Sequence, residues 1–105
     1  MPIFEKGNVK VEVDDDGFLV NFTDWNEEVA RALAATEDLA ELGTEHFQLM
    51  AYLRDYYKRN SAAPNIRKLC KDTNFSLKHI YELFPSGPAR GACRVAGLPR
   101  PNGCL

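Results

Sequence analysis

Hydrophobic and polar residues alternate near the start of the chain. Val9, Val11 and Val13 are separated by Lys10 and Glu12, and Phe18, Val20 and Phe22 are separated by Leu19 and Asn21. Period two is the mark of half-buried strands. Between the two runs lies Asp14-Asp15-Asp16-Gly17, whose Asp-Gly pair tolerates positive φ, so the pattern predicts a β-hairpin. A lone hairpin is marginal in water, and its apolar face must therefore rest on the remainder of the chain.

Beyond the hairpin the period changes to that of helices. Asp24 followed by Glu27 resembles a capping box, after which Trp25, Val29, Ala32 and Leu33 recur at helical spacing. A short helical turn is expected over Glu37 to Leu42, stopped by Gly43. Thr44 caps the longest expected helix, Glu45 to Arg59, with Leu49, Met50, Leu53, Tyr56 and Tyr57 opposite Gln48, Asp55 and Arg59. Ser61 to Pro64 interrupts it, because the residue before a proline avoids the helical region. Two short helices come next. One opens at Pro64 or Asn65 and runs to Lys71 with Ile66, Leu69 and Cys70 inward; the other is capped by Ser76 and runs to Phe84 with Leu77, Ile80, Tyr81 and Phe84 inward. Joined at Asp72 to Phe75, they make a helix-turn-helix. From Pro85 onward no apolar period survives. The fold class is thus mainly α with a minor β part: residues 1–84 form a helical domain with an N-terminal hairpin, and residues 85–105 form a mobile C-terminal arm.

A chain of 105 residues, 45% hydrophobic and 27% charged, has the size and composition of one small globular domain. Three cysteines are too few, and odd in number, for a disulfide scaffold. The chain contains no run of 18 apolar residues, and Met1-Pro2-Ile3-Phe4-Glu5-Lys6 lacks the plan of a signal peptide, so a cytoplasmic location with free thiols is expected. Charge divides the chain at the same place as pattern. Residues 1–84 carry ten basic and fifteen acidic side chains, whereas residues 85–105 carry Arg90, Arg94 and Arg100 and no acid. The same 21 residues hold four of the six prolines, four of the seven glycines and two of the three cysteines.

Cys93 and Cys104 are therefore the candidate chemistry. A segment without an apolar stripe offers a thiol little burial, and flanking arginines stabilise a thiolate. The chain's own carboxylate opposes that effect at Cys104, the penultimate residue. Structural zinc needs four ligands, and two cysteines eleven positions apart with no tail histidine supply only two, so no metal site is expected. A bond between Cys93 and Cys104 is feasible across a Gly- and Pro-rich stretch, and in a reducing compartment it would be transient. The nineteen steps from Pro85 to Cys104 span about 60 Å at full extension, enough to enter another protein's active site.

Other features read as structure. Cys70 is expected in the core, and Trp25, Tyr52, Tyr56, Tyr57 and Tyr81 on helix faces. Asp14 to Asp16 is a solvated turn, and His46 and His79 have no spacing that suggests acid-base catalysis. Arg67, Lys68, Lys71 and Lys78 against Asp72 and Glu82 give residues 65–84 a net charge of +2. The second helix nevertheless offers only Lys78, His79 and Glu82 as polar side chains, which argues against sequence-specific DNA binding.

The C-terminal run Tyr81-Glu-Leu-Phe-Pro-Ser-Gly-Pro-Ala-Arg-Gly-Ala-Cys-Arg-Val-Ala-Gly-Leu-Pro-Arg-Pro-Asn-Gly-Cys-Leu105 resembles the signature of the DsrC/TusE family, sulfur-carrier partners of dissimilatory sulfite reductase. The likeness extends through Asp14 to Leu19, Asp24-Trp25 and Phe47 to Pro64. It implies a small helical protein with a hairpin, a helix-turn-helix and a mobile arm whose penultimate cysteine, here Cys104, is reactive. The presence of Cys93 and the compact connection Lys71 to Leu77 are similar to the reductive, dissimilatory branch rather than to the tRNA-thiolation members. The resemblance further implies that Cys104 accepts partly reduced sulfur in the catalytic subunits of the reductase, and that Cys93 attacks to give a Cys93–Cys104 trisulfide reopened by a membrane-bound reductase. Siroheme and iron-sulfur cluster would belong to the partner, the chain itself acting as co-substrate rather than enzyme. Arg90, Arg94 and Arg100 would meet an anionic channel or sulfur oxyanion. Persulfide relay to other sulfur-transfer proteins, in sulfur oxidation or tRNA thiolation, is the alternative within sulfur chemistry; a DNA-binding regulator is the alternative outside it.

Overall fold

The computed structural model describes residues 3–99 apart from Asp38 and Ala40, and all but the side chains of Ala89 and Arg90 within that range. The strands β1 (Ile3–Lys6) and β2 (Val9–Glu12) pair antiparallel with Phe4 opposite Val11 and Lys6 opposite Val9. Gly7, at φ +58°, makes the tight turn between them. The expected hairpin is thus displaced by one strand. The partner of the Val9–Val13 run is Ile3–Lys6, whereas Phe18–Leu19 contributes only a single bridge, Leu19 to Val13. The Asp14–Gly17 turn does form: Asp14 Oδ1 accepts from the N–H groups of Asp16 and Phe18, and Gly17 N–H donates to Asp14 O. Its return limb then leaves the sheet because Phe22–Asp24 winds into a 3-10 turn.

Four helices complete this part of the chain: α1 (Glu27–Ala35), α2 (Thr44–Asn60), α3 (Ile66–Thr73) and α4 (Leu77–Leu83). Asn26, not Asp24, caps α1 by accepting from Val29 N–H; Gly43, not Thr44, is the N-cap of α2; of the two expected openings of α3 Asn65 is the cap, and Ser76 caps α4 as expected. The turn expected over Glu37–Leu42 is not helical where the structure describes it, because the chain leaves α1 through bonds from Glu37 and Leu39 back to Ala34 O. His46 joins the start of α2 to the end of α4: its Nδ1 accepts from Gly43 N–H, leaving Nε2–H to donate to Leu83 O at 2.9 Å. Both ring nitrogens are thereby used structurally.

The core is one cluster built from Val9, Val11, Val13, Phe18, Leu19, the inner face of α1, Leu49, Met50 and Leu53 of α2, Leu69, Ile80, Leu83 and Phe84. Leu77 and Tyr81, expected inward, are instead 44% and 49% exposed, since the buried edge of α4 runs through Ile80 and Leu83. The mainly helical class with a small hairpin is what the structure shows.

The boundary expected at Phe84 is not a boundary of packing. Pro88–Cys93 winds as a π-helix that packs against α2, and Ala92, Cys93, Val95, Ala96 and Leu98 are all completely buried. Burial of Val95 and Leu98 contributes about 1.5–3 kcal/mol each. Small residues and glycines supply most of this buried surface, so no amphipathic stripe marks it in the sequence.

Candidate functional site

The site is the end of this segment. Arg94 and Val95 continue the helix, which closes at Gly97 in a Schellman motif: Leu98 N–H donates to Cys93 O and Gly97 N–H to Arg94 O, both at 3.1 Å. Gly97 is at φ +76°, and a Cβ there would lie 2.2 Å from Trp25 Cδ1, so both backbone conformation and packing require glycine. Gly91 permits a second close approach, since a Cβ would lie 2.9 Å from that of Phe84. The reversal returns the backbone of Leu98 to Cys93.

Two side chains from elsewhere hold the carbonyls exposed by the helix end. Trp25 Nε1–H donates to Val95 O at 2.9 Å, and Arg54 of α2 donates through Nη1 to Ala96 O at 3.0 Å and through Nη2 to Phe22 O at 2.8 Å. The guanidinium also lies 3.8 Å from the Phe22 ring centre and 4.5 Å from that of Trp25. Desolvation draws the Arg54 pKa down to about 10, which leaves it charged at neutral pH. A cation on the last carbonyls complements the negative end of the helix dipole.

Cys93 is fully buried, and burial pushes its thiol up to about 12. For Arg94 the expectation that it lowers this pKa is corrected: it points away, donating through Nη1 to Glu37 at 2.7 Å and through Nη2 to Thr36 Oγ1 at 3.0 Å. Desolvation, which disfavours the thiolate, is what remains. Arg94 thus reaches a polar cavity of about 310 Å³ lined with Asp16, Thr36, Glu37 and Ser86. The Arg90 side chain, Arg100 and Cys104 lie outside the described residues, and so does the thiol pairing between Cys93 and Cys104. Cys70 is half-buried at the edge of the core. Among the described residues no group of three or more His, Cys, Asp or Glu side chains could hold a metal ion, and no helix is long and apolar enough to cross a membrane.

Sequence reasoning missed Trp25 and Arg54 as supports of this segment, because nothing local links them to positions 70 and 42 residues away. Gly97 was missed too: a glycine followed within two residues by a proline is a helix-stop signal, but with no apolar stripe before it no helix was expected there.

Residues 5–105 match the family described as DsrC like protein. The chain is 49% identical over 94 residues to the dissimilatory-type sulfite reductase subunit gamma of Nitratidesulfovibrio vulgaris Hildenborough, covering 90% of each chain. It is 36% identical to the sulfurtransferase TusE of Salmonella paratyphi A, covering 100% of both. That second alignment spans 112 positions for the 105 residues here, so at least seven positions of the relative have no counterpart. Among solved structures, a chain in the crystal structure of dissimilatory sulfite reductase I superposes with a TM-score of 0.91 at 46% identity, covering 99% of this chain and 100% of that one. The chain belongs to the DsrC-like family of sulfur carriers.

Proposed function

We propose, from membership of that family, that the chain is the sulfur-carrying partner of a dissimilatory-type sulfite reductase, with Cys104 as sulfur acceptor and Cys93 as the second thiol. The observation that carries this reading is the reversal at Gly97. It sets the backbone of Leu98 against Cys93, and from there six residue steps, a contour of about 20 Å, lead to Cys104. A thiol on so short a leash, with Gly103 beside it, folds back onto Cys93 at little entropic cost. With 85–98 packed, the same leash limits how deeply Cys104 enters a partner. Greater depth requires Cys93 and its neighbours to leave the core.

The chemistry balances with the reductase supplying electrons. Sulfite takes two electrons and four protons to give water and divalent sulfur at the level of S(OH)2. Cys104 thiol displaces one hydroxide as water to form an S–S bond. Cys93 thiol displaces the other, leaving a trisulfide and a second water. Four further electrons and four protons, from a membrane-bound reductase, release hydrogen sulfide and restore both thiols. Siroheme and iron-sulfur centres belong to the partner, and Arg90 and Arg100 would meet its anionic channel or the sulfur oxyanion. Arg94 serves the fold through Glu37. The expected compartment is the cytoplasm.

Identity to the gamma subunit, and a chain shorter than the TusE alignment, favour this reading over persulfide relay to sulfur-transfer proteins. Intact mass after incubation with sulfite, electron donor and reductase tests it. Wild type should gain one sulfur and lose two hydrogens. Cys104→Ala should gain nothing. Cys93→Ala should load Cys104 and then link two chains through sulfur. A persulfide on wild-type Cys104 that never involves Cys93 would establish the relay instead.

A further inference from the structure

Cys93 is fully buried, yet a second thiol must be reachable to react, so something has to govern its release. The packing of residues 93–98 is apolar apart from the Arg94 side chain, which pairs with Glu37 and bonds Thr36. The main-chain attachments to other elements lie at one end: the Trp25 indole on Val95 O and the Arg54 guanidinium on Ala96 O, with a longer contact of 3.5 Å to Gly97 O. All three acceptors are main-chain carbonyls at the helix terminus, where no intrahelical donor is available. Arg54 bonds Phe22 O with its other nitrogen, so one guanidinium ties the C-terminal segment to the chain entering α1. Among the described residues no carboxylate pairs with Arg54; its ring contacts and carbonyl bonds are its attachments.

We propose that Arg54 and Trp25 are positioning residues for Cys93, forming a latch on the carbonyls of residues 95–97 that keeps this thiol sequestered until the segment lifts from the core. The proposal rests on the role given to Cys93 above and adds a control to it: the rate at which the second thiol can attack is set by the opening of the latch. Because the latch grips main-chain oxygens, a partner releases it by supplying competing acceptors to Arg54 or by drawing Leu98 and Pro99 away from Gly97. Once open, Cys93 loses its apolar surroundings and regains ordinary thiol reactivity.

The test needs neither reductase nor sulfur, so it stands or falls separately from the trisulfide. In a chain carrying Cys70→Ala and Cys104→Ala, Cys93 is the one thiol, and its alkylation by iodoacetamide is followed at several low urea concentrations. Arg54→Gln should accelerate labelling by about tenfold or more, as expected for loss of charge-assisted hydrogen bonds. The acceleration should have a shallow urea dependence, the sign of local rather than global opening. Trp25→Phe, which keeps the ring and deletes one bond, should give a smaller acceleration of the same kind. Arg54→Lys keeps the charge but not the fork and should restore only part of the protection. Labelling that is unchanged in both Arg54→Gln and Trp25→Phe overturns the proposal. So does labelling that follows the urea slope of global unfolding measured by circular dichroism. Should Arg54→Gln not fold, Trp25→Phe and Arg54→Lys decide it by the same criteria.

Discussion

Helix α3 and the segment 88–98 are both short, each carries one cysteine, and they are held in opposite ways. In α3 only Leu69 is completely buried, and the helix is fastened at its surface: Tyr52 on α2 donates to Asp72, Lys68 pairs with the same carboxylate at 3.2 Å, and Asn65 caps the start. In 88–98 nearly every described side chain is buried, and apart from the Arg94–Glu37 pair the polar attachments go to main-chain carbonyls. Cys70 accordingly stays half-exposed while Cys93 is sealed. A strongly amphipathic helix advertises its inner face and by the same token keeps an outer one; small residues without a polar face can disappear entirely. The difference extends to how the two regions respond to change. Surface fastenings are screened, titratable and individually weak, whereas close packing around glycine tolerates almost no added volume.

The largest expected effect is therefore at Gly97. Gly97→Ala must place a side chain at positive φ and a Cβ 2.2 Å from Trp25, for a combined loss of about 3 kcal/mol. Gly7 has φ +58° and nothing within 4 Å of a new Cβ, so Gly7→Ala should lose only about 1 kcal/mol. Urea unfolding of the two variants measures the difference, and equal losses would show that Trp25 yields easily to the intruding methyl.

A smaller contrast separates the cysteines. Cys93→Ser puts a hydroxyl into a fully buried apolar site and should destabilise by about 1–3 kcal/mol. Cys70→Ser, at the half-buried edge of the core, should stay within about 0.5 kcal/mol. Thermal midpoints of both, measured with reductant present, give the ordering; if Cys70→Ser proves the costlier, Cys93 is not held as described.

The smallest expected effect is electrostatic and belongs to the α3–α4 side. His79 bridges Glu45 of α2 at 3.0 Å and Glu82 of its own helix at 3.4 Å, and hydrogen bonding to Glu45 above all raises its pKa. A group whose pKa is raised by folding contributes its stability in full below its unfolded value near 6.5, and loses it as pH climbs through the higher folded value. Stability should thus fall modestly in wild type relative to His79→Gln across that interval, while the protection of Cys93 by Arg54 should not change there, since Arg54 titrates only near 10. Unfolding curves and Cys93 labelling over pH 6 to 8.5 provide the check. A latch that weakens in step with His79 would mean that the two regions open together.

Much of the architecture was written locally. Helix α2, the openings of α3 and α4 at Asn65 and Ser76, and the Asp14–Gly17 turn depend on nearest neighbours and periodicity, so a single sequence suffices to place them. The family signature was equally legible. Strand pairing was not: Val9–Glu12 pairs with the largely exposed Ile3–Lys6, whereas Phe18 and Leu19 are buried in the core with a single bridge to Val13, an arrangement set by tertiary packing. Nor could composition tell that the small residues between Gly87 and Leu98 pack rather than dangle, because small residues owe their burial to the shape of their surroundings. Trp25, Arg54 and Gly97 meet only after α1 and α2 have set them side by side. The chemistry of Cys93 depends on that meeting, since a thiol's reactivity is set by the solvent and charge around it, and those are supplied by residues distant along the chain.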